Sequence, residues 1–254
     1  MKLIVVIPTY NEADNLRQIA QALLDLPMPD LAVLVVDDSS TDGTGRIADE
    51  LSRGRPDRIQ VIHRKGKGGL GRAYLAGFES ALDSGATAIV QMDADFSHAP
   101  DYIPEMVGYL EDYDVVVGSR YVSGGKLDER WGVGRYLLSW FANSVYVRLL
   151  LRLRVHDATS GFKAWRRDTL LGIGINRVRS NGYVFQVEMA FLTERLGYRV
   201  LETPIYFEDR RIGQSKMSIP IKLEAAWRTI EVGLRHHRIK PKDRWLQTVE
   251  PLDT

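Results

Sequence analysis

The sequence predicts an α/β fold, a mostly parallel central sheet flanked by helices. Three observations carry this. Short apolar runs alternate with segments of helical periodicity through the first half of the chain. Those runs are continuously apolar, as expected of strands covered on both faces. They end on acidic, polar or glycine-rich loops, and in open α/β sheets ligands bind beyond the carboxyl ends of the strands. A length of 254 residues and a hydrophobic fraction of 44% suit a globular domain of this kind.

Leu3–Ile7 is the first strand. Met1–Pro8 has the look of a short signal peptide, but it lacks a small-residue cleavage site and its apolar run stops at Pro8. A helix follows, with Leu16, Ile19, Ala20, Leu23 and Leu24 at the 3.6-residue period. Leu31–Val36 is the second strand and ends on Asp37-Asp38. Thr44–Leu51 reads as helix, Ile59–His63 as the third strand and Arg72–Ser84 as the next helix. Ala88–Met92 and Val115–Gly118 are the fourth and fifth strands. The pattern then changes. Residues 122–134 read as a glycine-rich charged loop, Tyr136–Leu151 as an arginine-studded apolar helix and His156–Phe162 as a loop. Thr169–Leu171 and Tyr183–Leu196 are helical, Arg199–Phe207 is a strand, and Ile219–Arg235 is an amphipathic helix. From residue 239 the chain is expected to be a loose polar tail.

The 34 basic and 33 acidic residues leave a net charge of +1, so no global basic field points to nucleic acid. The absence of cysteine excludes disulfides, thiolate metal sites and a cysteine nucleophile. No segment offers the roughly 20 apolar residues that a membrane-spanning helix needs. In Tyr136–Leu151 and just beyond it, Arg148 and Arg152 stand at i, i+4, while Leu149, Leu150, Leu151 and Leu153 crowd the rest. That suits a helix lying on a membrane surface with its arginines at headgroup level. The competing reading is a core helix with snorkelling arginines.

The chemistry concentrates at strand ends. Gln91-Met92-Asp93-Ala94-Asp95-Phe96-Ser97-His98 places two carboxylates at i, i+2, so that from a strand both project to one side. Such a pair attracts Mg²⁺ or Mn²⁺, which keep coordination sites open for phosphate oxygens. Pro8-Thr9-Tyr10-Asn11-Glu12 supplies a tyrosine able to stack on a planar ring, with Asn11 placed to cap the next helix. In Asp37-Asp38-Ser39-Ser40-Thr41-Asp42-Gly43-Thr44, one acid can accept from a ribose hydroxyl or a base N–H, while Thr41 and Asp42 read as a helix start. Residues 64–71 combine Lys65 and Lys67 with Gly68, Gly69 and Gly71, which suits a phosphate-bearing ligand although it is not a P-loop. Arg135 and Ser139 are i, i+4 and would face one bound group.

Taken together and in this order, Pro8–Glu12, Asp37–Thr44 and Asp93–Asp95 resemble the family-2 inverting glycosyltransferases with the nucleotide-sugar-binding GT-A fold. Gly118–Tyr121, Asp157–Phe162, Gly182–Glu188 and Asp209–Met217 narrow the resemblance to dolichol- or polyprenol-phosphate mannose synthases in their minimal form, the catalytic domain alone. The resemblance implies one domain over residues 1–238, with a nucleotide-sugar half at 1–121. The acceptor half at 122–238 then contains an interfacial helix near 135–154. It implies Pro8, Tyr10, Glu12, Asp37 and Asp38 around the nucleoside, and Asp93 and Asp95 holding the metal on the diphosphate. Ser97 stands where some relatives place a metal-binding glutamine. Arg120, Arg135, Ser139 and Arg210 would grip the lipid phosphate, with Asp95, Arg120 and Arg210 central to catalysis, and Ser215 and Lys216 would order a closing loop.

The implied reaction transfers mannose from GDP-mannose to a polyprenyl phosphate, with inversion, on the cytoplasmic face of a membrane. The enzyme would be peripheral, with room for an integral membrane partner. A phosphate monoester is largely dianionic at neutral pH, so the acceptor needs no general base. The rival within enzymes is a hexosyltransferase using a UDP-sugar and the same lipid. A processive synthase would carry a Gln-X-X-Arg-Trp segment, which is absent. The reading from another class is a nucleotide-sugar-binding subunit without turnover. Asp157 and Glu188 are the carboxylates that could act as a base if one is needed.

Overall fold

The computed structural model describes residues 1–130, 132–209 and 219–245, with Arg135 and residues 219–222 described by their backbone only. A seven-stranded sheet forms the centre. Its strands are β1 (Leu3–Thr9), β2 (Leu31–Asp37), β3 (Ile59–His63), β4 (Ala88–Gln91), β5 (Val115–Ser119), β7 (Lys163–Arg166) and β8 (Val200–Pro204). Their order across the sheet is β3-β2-β1-β4-β7-β5-β8. All neighbours pair in parallel except β7, which runs antiparallel to both β4 and β5. A second, two-stranded sheet joins β6 (Lys126–Leu127) to β9 (Tyr206–Phe207).

Alternation along β1 feeds two cores, one on each face of the sheet. Leu3, Val5 and Ile7 pack toward α1 (Ala13–Leu24) and α4 (Ile103–Gly108). Ile4 and Val6 pack toward α3 (Leu70–Asp83) and α8 (Val184–Arg195). α2 (Thr44–Gly54) covers the first face near β3, and α7 (Arg167–Ile173) the second. α3 approaches β1 closely, and a Cβ at Gly77 would lie 2.3 Å from Val6. Tyr74 and Phe185 stack across α3 and α8 with ring centroids 5.7 Å apart, a contact worth about 1 kcal/mol beyond its burial.

β7 was not foreseen. Lys163 and Trp165 lie at 1% and 0% exposure, so a lysine sits inside the sheet. A chain of hydrogen bonds makes this tolerable. Trp165 donates to Gln91, and both Gln91 and Lys163 donate to the Gln186 side-chain oxygen. Burial still pushes the Lys163 ammonium down to about 7, against the opposing pull of Asp157. Pro204 ends β8, and the strand expected over 199–207 divides between the two sheets.

The apolar helix expected over 136–151 runs from Val133 to Leu151, as α5 (Val133–Trp140), a π-helical stretch (Phe141–Val147) and α6 (Arg148–Leu151). Val147 and Leu151 anchor it to Val187 and Phe191 of α8 and Val232 of α9 (Ile219–His236). One side of the helix is core, while Leu137, Phe141 and Leu149 are 54%, 51% and 74% exposed. The i, i+4 pairing of Arg148 with Arg152 does not form. Arg152 adopts a left-handed conformation (φ 55°) that ends the helix, and Leu153 N–H closes onto the Arg148 carbonyl. Residues 239–245, expected to be loose, pack on the body. Arg244 donates to the carbonyls of Leu196 and Gly197 and lies over the Tyr198 ring, and Trp245 N–H reaches the Gly172 carbonyl. Among the described residues no helix is long and apolar enough to cross a membrane.

Candidate active site

The carboxyl ends of β1, β2 and β4 open onto one cavity of about 600 Å³. Pro8, Tyr10, Glu12, Asp38, Asp93 and Asp95 all line it. β4 stops at Gln91, so Asp93 and Asp95 lie in the following turn, and the turn rather than strand pleating brings them together. Tyr74 donates its hydroxyl to Asp93 at 3.0 Å, and Ser97 N–H donates to Asp95 at 3.1 Å. Burial, reinforced by Asp93, raises the Tyr74 phenol well above its ordinary range, so it remains a donor. Asp93 N–H donates to His98 Nδ1, and burial holds that imidazole below its usual pKa despite the pull of the two acids. The donors presented to the cavity are therefore hard carboxylate oxygens, which fit Mg²⁺ or Mn²⁺. Among the described residues no cluster of three ligating side chains forms, so phosphate oxygens and water would complete the shell. Ser97 is buried at 2% exposure and does not line the cavity, and the bond seen from it is its N–H to Asp95.

The second acidic loop has a structural task as well. Asp37 lies beneath the cavity, bonded by the Thr9 hydroxyl and Ser40 N–H. Asp38 reaches the cavity wall and accepts from Gly68 N–H, Gly69 N–H and Arg64. Gly69, at φ 86°, can place its amide there because it lacks a side chain. Asn181 grips the same loop from the other side, donating to Gly68 O and accepting from Gly71 N–H. Lys67 lies 3.9 Å over the Tyr10 ring. Asn11 does not cap the first helix. It sits at φ 60° and accepts from Thr41 N–H, while Asp42 and Thr44 take the N–H groups of Ala13 and Glu12.

The acceptor-side residues are placed differently. Arg120 is clamped on Asp157 through Nε and one terminal nitrogen, and it also donates to Thr159. Burial would lower the Arg120 pKa, but the adjacent Asp157 outweighs it and raises it. Ser139 shares a 2.7 Å hydrogen bond with the Tyr121 hydroxyl. Neither Arg120 nor Ser139 lines the cavity. Arg210, Ser215 and Lys216 lie outside the described residues, and Arg135 is described by its backbone only.

Three cations that sequence reasoning missed do line it: Arg179 before α8, and Arg228 and Arg235 on α9. Glu224, Arg228 and Arg235, at i, i+4 and i+11, share one helix face, and this spacing was the available signal. The two candidate bases are both engaged. Asp157 holds Arg120. Glu188 accepts from His236, Arg235, Arg179 N–H and Ser180 N–H. Burial alone would raise the Glu188 pKa, but His236 and the Ser180 amide outweigh it and hold the carboxyl low.

Comparison with known proteins shows the family. The chain is 44% identical over 234 residues to the undecaprenyl-phosphate mannosyltransferase of Micrococcus luteus, covering 92% of this chain and 95% of the relative. It is 43% identical to the polyprenol monophosphomannose synthase of Mycolicibacterium smegmatis, over 92% and 88% of the two chains. Among solved structures it resembles the mannosyltransferase PcManGT from Pyrobaculum calidifontis in complex with GDP-Man and Mn²⁺. That match has a TM-score of 0.55 at 18% identity and covers 95% of this chain and 72% of that one, a likeness of the GT-A fold. The model for glycosyl transferase family 2 matches residues 4–173, and the chain belongs to that family.

Proposed function

We propose that the protein transfers mannose from GDP-mannose to a polyprenyl phosphate, with inversion, giving polyprenyl-phosphate mannose and GDP. The observation that carries this reading is the composition of one cavity. Two carboxylates on a strand-end turn face it together with Arg179, Arg228 and Arg235, while both candidate bases are tied to cations. A sugar hydroxyl would need a base to become a nucleophile, whereas a phosphate monoester arrives already ionised. The names of the two bacterial relatives, and the GDP-Man of the archaeal structure, support the choice of sugar, donor and lipid.

On this reading Asp93 and Asp95 hold a divalent cation, which would offset the diphosphate charge and favour departure of GDP. Tyr74 and Ser97 N–H orient those acids. Pro8, Tyr10, Glu12 and Asp38 surround the nucleoside, with Asp37 beneath them holding the loop and Lys67 beside Tyr10 on the same wall. Arg179, Arg228 and Arg235 line the cavity to receive the acceptor phosphate, with Arg135 and Arg210 as further ligands, while Arg120 and Ser139, which do not line it, support its wall through Asp157 and Tyr121. The exposed side chains of Leu137, Phe141 and Leu149, with Leu223 and Trp227 of α9, rest on the bilayer that carries the acceptor.

A donor panel of GDP-mannose, UDP-glucose and UDP-GlcNAc, assayed against one polyprenyl phosphate with Mg²⁺ or Mn²⁺, tests the assignment. Mannosyl lipid from GDP-mannose alone is expected. Product from UDP-glucose alone would replace the donor while keeping the reaction class. Absence of any lipid product together with tight nucleotide-sugar binding would make the chain a binding subunit. Turnover should fall as pH drops through about 6, the second ionisation of the acceptor.

A further inference from the structure

α9 separates two cavities. Its Glu224, Arg228 and Arg235 face the carboxylate cavity, and its Ile230 and Gly233 line a second cavity on the other side. Leu223, Trp227 and Leu234, at i, i+4 and i+11, form the ridge between them and are 68%, 62% and 69% exposed. The ridge thus stands between α9 residues that line the two cavities.

The second cavity is an open groove of about 920 Å³ between α6, the end of α8, α9 and the edge strand β8. Its apolar wall includes Leu150, Leu153, Phe191 and Ile230, and its polar wall is rich in arginine: Arg152, Arg154, Arg195 and Arg199. The two glutamates that line it are occupied by neighbouring donors. Glu194 accepts from the N–H groups of Arg154 and Val155. Glu202 accepts from His156 N–H, the His156 ring and Asp157 N–H. Arg199 lies 3.7 Å from Asp114, and Arg195 donates to the His237 carbonyl. Among the described residues no carboxylate pairs with the Arg152 or Arg154 guanidinium. The left-handed turn at Arg152 takes that side chain off the helix face and into the groove lining.

We propose that this groove binds the phosphate headgroup of an anionic phospholipid, with the adjoining Leu150 and Leu234 against its acyl chains. The inference rests on the membrane contact proposed above and adds to it a site distinct from the acceptor cavity. Guanidinium groups match phosphate oxygens in a two-pronged geometry, and an apolar wall beside them suits a ligand with both parts. Net charge is only +1, so attraction to an anionic surface has to come from local placement of this kind rather than from a global field.

The test is sedimentation of the full chain with phosphatidylcholine vesicles and with vesicles containing phosphatidylglycerol, at physiological salt. The parent should bind the anionic vesicles at least about tenfold more tightly, the scale expected for two arginines at a charged surface. Arg152→Gln/Arg154→Gln should lose that preference, retain binding to neutral vesicles, and keep turnover with a short, water-soluble polyprenyl phosphate. Arg53→Gln/Arg55→Gln, equal in charge change but at the carboxyl end of α2, should keep the preference. An unchanged preference in the groove variant, or an equal loss in both variants, overturns the site. So does a loss confined to neutral vesicles carrying polyprenyl phosphate, which would make the groove an acceptor store. A parent that binds both vesicle types equally overturns the site and leaves membrane contact intact. A parent that binds neither defeats the membrane reading itself.

Discussion

The acids at the strand ends and those in the second half of the chain are held by different kinds of partner. On the strand-end side, Asp93 takes the Tyr74 hydroxyl, and Asp37 takes a hydroxyl and an amide. These donors orient a carboxylate without cancelling its charge. In the second half of the chain, Asp157 is matched by Arg120, Glu188 by Arg235 and His236, and Asp128 by Arg130. Asp38, paired with Arg64, and Asp37, 3.8 Å from the His63 ring, are the exceptions on the first side. The strand-end side thus keeps negative charge available for a cation. The other side neutralises its own acids and removes a field that would repel an incoming phosphate.

The contrast breaks most visibly at the metal acids. Asp93→Asn or Asp95→Asn keeps size and removes charge, and turnover should fall about 100-fold or more, by the scale of lost electrostatic stabilisation of a leaving group. Steady-state rates at saturating metal check this. The exposed band comes next. Leu137→Glu/Phe141→Glu should weaken vesicle binding roughly tenfold or more, since each half-exposed side chain contributes on the order of 1 kcal/mol on burial. Nucleotide-sugar binding should be unchanged in that variant, which calorimetry would read.

A smaller effect is expected at the stitch between the halves. Asn181→Ala removes the bonds to Gly68 and Gly71 and should raise the donor KM about fivefold with little change in kcat, the scale of one hydrogen bond. An equal fall in kcat would mean that the loop joins the chemical step. A change in stability rather than activity concerns Lys163, whose folded pKa of about 7 lies below its ordinary 10.5. Between those values the unfolded chain binds more protons, so stability rises as pH climbs from 7 toward 10 and the contribution is flat below 7. Urea unfolding of Lys163→Met should lack that rise.

Much of the fold was readable because the first strands are apolar on both faces, and a run such as Leu31–Val36 admits little else. β7 escaped because Lys163, Trp165 and Arg166 look like a surface segment. Only Gln186, delivered by α8, makes a lysine acceptable there, and that partnership exists in three dimensions alone. The cavity divides in the same way. Pro8, Tyr10, Glu12, Asp38, Asp93 and Asp95 follow strands, so their convergence is a property of the topology. Arg179, Arg228 and Arg235 reach it through helix packing that no local pattern announces, and Arg120 carries a partner 37 residues away. The expected end of the interfacial helix failed at one residue, Arg152, because a left-handed arginine is rare enough that spacing alone predicts continuation.

β7 runs against its neighbours, and this has a consequence for how such a chain can change. The backbone leaves the sheet at Ser119 and returns at Lys163 on the strand beside it, with Gly118 N–H bonded to the Phe162 carbonyl at 2.9 Å. Everything between, including the apolar helix and the Asp157 loop, is an excursion whose two ends are already tied together. Such a segment can be lengthened, shortened or exchanged for another without shifting the register of the seven-stranded sheet, provided the short β6–β9 pairing is kept. A change of acceptor could therefore arise by replacing this one cassette, leaving the strand-end acids of Asp93 and Asp95 in place.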